Sequence, residues 1–163
     1  FNSGGLGIIH SISHAVSAFY DTHHGLNNAI ALPRVWAFNM SASYKKFADI
    51  ARAMNIDTHG MTDVQAAEAA LAASIRLLRD VSIPERFVDV TADSYSKNRL
   101  GQGPTKYYEK AKVIKGDKAD VERITNHVLG DACTPGNLRE CTFETVSPVV
   151  EHCMNGDLDD LLG

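Results

Sequence analysis

Four histidines fall between positions 10 and 24, and no other stretch of the sequence concentrates so much chemistry. His10 and His14 stand four apart, a spacing that puts both imidazoles on one face of a helix, one turn from each other. His24 follows ten residues after His14, directly before Gly25, where a glycine permits a tight turn and a close backbone approach. Imidazole is the usual nitrogen ligand of zinc, iron, copper and nickel. A catalytic metal wants about three protein ligands and an open position for substrate. His10 and His24 could supply two of those ligands, and His14 could be a third or a proton-handling neighbour. The one carboxylate nearby in the sequence is Asp21. By spacing alone, the cluster fits ordinary histidines near a helix end as well as it fits a metal site.

The elements that would position these residues read as helices. Tyr44, Phe47, Ile50, Ala51 and Met54 mark one helical face, with Ser43 as the N-cap. Asn55 to Thr62 reads as a turn broken at Gly60. Thr62 with Gln65 has the form of a capping box, and Val64, Ala67, Leu71, Ile75 and Leu78 supply the apolar stripe behind it. The alanine-rich run favours helix, and Ser82-Ile83-Pro84 stops it, because the residue before a proline avoids the helical region.

From 94 to 118 the pattern fails: Gly101, Gly103 and Pro104 interrupt it, lysines dominate, and one short helix is expected around Tyr107. Asp117 can cap a helix carrying Val121, Ile124 and Val128. Gly130 to Asn137 is a turn-rich link. A last helix fits Thr142 to Cys153, with Pro148 predicting a distortion or a late start. The acidic, leucine-bearing end from Asn155 predicts fraying or docking on a neighbouring subunit. No run alternates in the manner of a strand. The expected fold is all-α, a single helical domain over residues 1–163.

Length and composition agree with one globular domain: 163 residues, 44% hydrophobic and 22% charged. A net charge of −4 offers no basic field for nucleic acid or an anionic membrane, so neither is an expected partner. No apolar run approaches the roughly 18 residues that span a bilayer. Three cysteines, an odd number with no CxxC pair, do not make a disulfide framework and point to a reducing compartment. No secretory signal pattern is present, and a cytoplasmic location is expected. The sequence opens at Phe1, with Met40 as its first methionine, and reads as a fragment.

The wording around the histidines is more specific than their spacing. Gly5-Leu6-Gly7-Ile8-Ile9-His10-Ser11-Ile12-Ser13-His14-Ala15-Val16, then Ala18-Phe19-Tyr20-Asp21 and His24-Gly25, closely resembles the signature of the iron-containing alcohol dehydrogenase family. Asn28-Ala29-Ile30, Leu32-Pro33 and the stretch from Asp131 to Asn137 fit the same family. The resemblance covers most of the chain and is weakest from about Ser94 to Asp120.

This resemblance implies the metal-binding C-terminal helical domain of a dehydroquinate synthase-like fold, without the N-terminal domain that binds NAD(H) or NADP(H). It implies a divalent metal, Fe2+ or else Zn2+, Mg2+ or Mn2+. His10 and His24 match two of its ligands, and the other two, an aspartate and a histidine, belong upstream. It implies that His14 is not a ligand but lies by the nicotinamide and substrate, where it could relay the alcohol proton. Phe1 falls where the family often has an aromatic residue near the nicotinamide. The substrate class implied is a small alcohol or its aldehyde. Tyr20 to Asn28, the excursion from Tyr95 to Gly116 and the long tail look most like the nicotinoprotein branch. That branch includes methanol dehydrogenases with a nitrosoaniline acceptor, retains NADP(H), and assembles as homo-oligomers, in that case decamers.

Two residues depart from the family's pattern. Ser17 stands where many relatives have glycine and is expected to crowd its helix slightly. His23 stands where many have proline and offers a competing nitrogen beside His24. The isolated chain holds half a metal site and no phosphate-binding glycine loop, so it is expected to be inactive alone. The alternative function is a non-catalytic helical module in which histidines hold a metal between copies.

Overall fold

A computed structural model describes residues 5–91 and 112–162. The described residues contain six α-helices and no strand, as the sequence predicts. The expected helix around Tyr107 and the residue Phe1 lie outside the described residues.

The first helix, α1 (Ile8–Tyr20), is enclosed on most sides, with Ile8, Ile12, Ala15 and Val16 in the core. Its N-cap, Gly7, has no side chain to offer the first amides. Instead the Ile8 amide donates to Asn137 Oδ1 at 3.4 Å, a partner from the other end of the chain. Asp21 ends the helix in the left-handed region at φ 56°, its amide donating to Ser17 O at 3.0 Å. Aspartate tolerates that conformation better than most residues. The reversal therefore sits at Asp21, not at Gly25, which lies in the first turn of α2 (His24–Met40). Helix α2 runs back along α1, burying Leu26, Ile30, Ala31 and Val35, and continues through Pro33.

Helix α3 (Tyr44–Ala53) and α4 (Asp63–Asp80) form a hairpin. Ala48 and Ala51 face Ala66 and Ala70, and these small side chains let the two backbones approach closely. The capping box forms: the Gln65 amide donates to Thr62 Oγ1 at 3.2 Å, and the Thr62 amide donates to Gln65 Oε1 at 2.9 Å. Ala67, Leu71, Ile75 and Leu78 are buried as predicted. Val64 is not; it is 40% exposed, because the first turn of α4 stands clear of the core.

Helices α5 (Lys118–Gly130) and α6 (Phe143–Asn155) complete the bundle around α1 and α2. Asp117 caps α5 by accepting from the Asp120 amide at 3.0 Å, and Val121, Ile124 and Val128 are buried. Thr142 caps α6, which starts at Phe143, without the late start that Pro148 suggested, and runs through that residue.

The acidic end docks on its own chain. Leu158, 1% exposed, fills a pocket with Met40, Phe47, Leu71 and Ile75. Buried Arg34 fastens the same end by donating to Gly156 O at 2.6 Å and to Glu85 O at 2.7 Å.

Leu71→Ala should lower unfolding stability by about 2–5 kcal/mol, the range for a truncated core leucine, whereas Val64→Ala should stay within about 0.5 kcal/mol. Urea titrations of the two variants test this, and equal losses would contradict the face assigned to α4.

Candidate metal centre

Helix α1 presents His10 and His14 one turn apart, and the first residue of α2 brings His24 against both. Donor atoms of the three imidazoles all lie within 4.8 Å of one another. His24 Nε2 and His10 Nδ1 are 3.2 Å apart. The His14 and His24 rings stack with centroids 5.2 Å apart.

The residues fit a divalent ion. Two imidazole nitrogens bound tetrahedrally at about 2.0–2.1 Å lie roughly 3.3 Å from each other, close to the separation seen between His24 and His10. An all-imidazole set suits iron, zinc and related ions. Burial holds the His24 pKa below its usual value, and the neighbouring His10, His14 and His23 push it the same way. A ligand must be neutral to offer its lone pair, so the environment of His24 favours the binding form. An apolar cavity of about 610 Å³, lined in part by Leu32, Trp36 and Leu138, opens beside His10.

The carboxylate serving this cluster is Asp131, not Asp21. Asp21 faces away toward Lys112, 3.7 Å distant. Asp131 Oδ2 lies 2.9 Å from His14 Nδ1, across 117 residues of sequence. Its other oxygen accepts from the Cys133 amide at 2.8 Å and from Ser11 Oγ at 3.1 Å. Burial disfavours the charged carboxylate, but the Cys133 amide, His14, the Cys133 thiol and Ser11 outweigh it and hold the pKa at about 2. A carboxylate at Nδ1 favours the His14 tautomer that leaves Nε2 free to accept a proton. The Cys133 thiol is pushed up by burial and then by Asp131, so it is not an activated nucleophile.

The turn carrying Asp131 is locked onto the start of α1. Gly136 packs so closely on Leu6 that a Cβ there would strike the Leu6 carbonyl oxygen. Asn137 and Asn39 exchange side-chain hydrogen bonds of 2.9 and 3.0 Å, joining this turn to the end of α2.

The two departures from the family's pattern have structural roles. His23 is the N-cap of α2: its Nδ1 accepts from the Gly25 amide at 3.1 Å, which occupies that nitrogen. Ser17 Oγ accepts from Asn27 Nδ2 at 2.9 Å, so the hydroxyl joins α1 to α2.

Residues 1–154 match the family described as "Fe-containing alcohol dehydrogenase family, C-terminal". The chain belongs to this family. It is 85% identical to methanol:N,N-dimethyl-4-nitrosoaniline oxidoreductase of Amycolatopsis methanolica, over 99% of this chain and 38% of that protein. It is 35% identical to lactaldehyde reductase of Escherichia coli (strain K12), over 90% of this chain and 32% of the relative. A crystal structure of 1,3-propanediol oxidoreductase superposes with a TM-score of 0.72 at 28% identity, covering 91% of this chain and 33% of the other. The chain thus spans about a third of the length of these family members. The all-helical fold is that of the family's C-terminal part.

Folding keeps Asp131 ionised well below its ordinary pKa of 3.8, so its contribution is fully present above about pH 4 and is lost as pH falls toward about 2. Asp131→Asn should cost about 2 kcal/mol at neutral pH and flatten the loss of stability between those two pH values. Denaturant titrations at several pH values test this, and an unchanged acid limb would contradict it.

Proposed function

We propose that this chain is the metal-holding C-terminal part of a longer NAD(P)-dependent alcohol dehydrogenase acting on methanol or another small primary alcohol. The observation that carries this reading is the convergence of His10, His14 and His24 in one chain, with Asp131 behind His14. The substrate class follows the names of the relatives, above all the protein that is 85% identical. When bound, a divalent ion would supply Lewis acidity toward the alcohol oxygen, and the nicotinamide would accept the hydride.

This chain's own residues would do the rest. His10 and His24 hold the ion, together with an aspartate and a histidine from the upstream part implied by the family. His14 takes up the alcohol proton at Nε2 and passes it toward solvent, helped by the 41% exposure of its side chain. Asp131 stabilises the imidazolium that forms and holds the ring in place. Phe1 would pack by the nicotinamide. Homo-oligomeric assembly belongs to this reading, on the strength of the family resemblance.

In the enzyme carrying the upstream part, His10→Ala and His24→Ala should abolish metal retention. His14→Ala should keep the metal and slow turnover by about 10²–10⁴-fold, the usual contribution of a proton-transferring residue. Elemental analysis paired with alcohol oxidation rates tests the assignment. The reverse pattern, with metal lost from the His14 variant and kept in the His10 variant, would sink it.

A further inference from the structure

Ser13 lies between the two histidines of α1 and is fully buried. Its Oγ is 2.9 Å from the backbone oxygen of His24 and 2.8 Å from His24 Nδ1. A serine hydroxyl has one proton to give. The carbonyl oxygen can only accept, so the proton goes there. Oγ is then an acceptor toward the ring, and Nδ1 must carry the hydrogen. Were the hydroxyl turned to donate to Nδ1 instead, Oγ and the carbonyl oxygen would face each other at 2.9 Å with no hydrogen between them. Neutral imidazole has one N–H, so a proton on Nδ1 leaves the lone pair on Nε2, the atom 3.2 Å from His10.

We infer that Ser13 is a positioning residue that selects the Nδ1–H tautomer of His24 and so presents Nε2 to a divalent ion. The inference rests on the metal-holding reading above. Unconstrained histidine favours the opposite tautomer, with the proton on Nε2, where it blocks the lone pair. Metal-bound histidines usually donate their second N–H to an acceptor that fixes the ring; for His24 the acceptor is a hydroxyl held in register by the backbone. Ser13 is itself tied across the corner, because Asn27 Nδ2 reaches its carbonyl at 3.4 Å as well as Ser17 and Thr22.

The test uses the metal-free enzyme carrying the upstream part, labelled with 15N-histidine and read by long-range 15N–1H NMR above the imidazole titration. Wild type should show His24 protonated at Nδ1. Ser13→Ala should move proton density to Nε2, and Ser13→Thr, which keeps a hydroxyl, should restore the wild-type pattern. Zn2+ affinity, measured by competition with a chromophoric chelator, should fall about 10–100-fold in Ser13→Ala and recover in Ser13→Thr, with helical content unchanged. A wild-type His24 protonated at Nε2 would overturn the inference without any variant, as would a Ser13→Ala chain that keeps both the tautomer and the affinity. A wild-type enzyme with its upstream part that shows the Nδ1–H tautomer yet binds no Zn2+ would refute the metal-holding reading instead, and with it the purpose assigned to Ser13.

Discussion

The Asp131 carboxylate is the interaction on which the site depends. It sits just past the C-terminus of α5, where the helix dipole makes a negative charge unwelcome, and it is largely buried. A charge in such a place persists only if hydrogen bonds offset its lost hydration. Here the Cys133 amide, Ser11 and His14 do so. Those same bonds fix the turn after α5 against α1 and set the plane of the His14 ring. Stability and the proton-handling role proposed for His14 are therefore linked at one side chain.

Around that anchor the molecule divides its work between apolar and polar contacts. The core of α1, α2, α5 and α6 is built from aliphatic side chains, which bring the helices together without dictating an exact register. Register comes from a polar seam. Asn27 binds Ser17 and Thr22, the paired amides of Asn39 and Asn137 close the other end of α2, and Ser13 meets His24 in the middle. Asn27, Thr22, Asn39 and Ser13 are buried, so a slip along the helix would leave further donors and acceptors unpaired, a costly outcome. The seam lies beside the histidines, where a displacement of about 1 Å would spoil the geometry proposed for holding a metal.

The residues that depart from the family's pattern show how a local change is absorbed. Ser17 brings a hydroxyl to the seam where a glycine would bring nothing, and Asn27 uses it. His23 gives α2 an N-cap that a proline could not supply, since proline has no polar side chain. His23 also adds to the forces that hold the His24 pKa low.

The sequence by itself determined the features set by neighbours a few residues apart. Thr62 with Gln65, Asp117 and Thr142 mark helix starts through bonds to amides within one turn. The stripe of Ala67, Leu71, Ile75 and Leu78 follows from 3.6-residue periodicity, and the pairing of His10 with His14 follows from the same rule. The stretch from Asp131 to Asn137 was recognisable as family wording, yet nothing in its spelling tied Asp131 to His14. Only the tertiary structure decided that pairing, along with the partner of the Ile8 amide, the reversal at Asp21 instead of Gly25, and the docking of Leu158 on its own chain. The physical reason is range. Caps and periodicity are settled within one or two turns of helix, whereas a contact across 117 residues exists only once packing has brought both ends together.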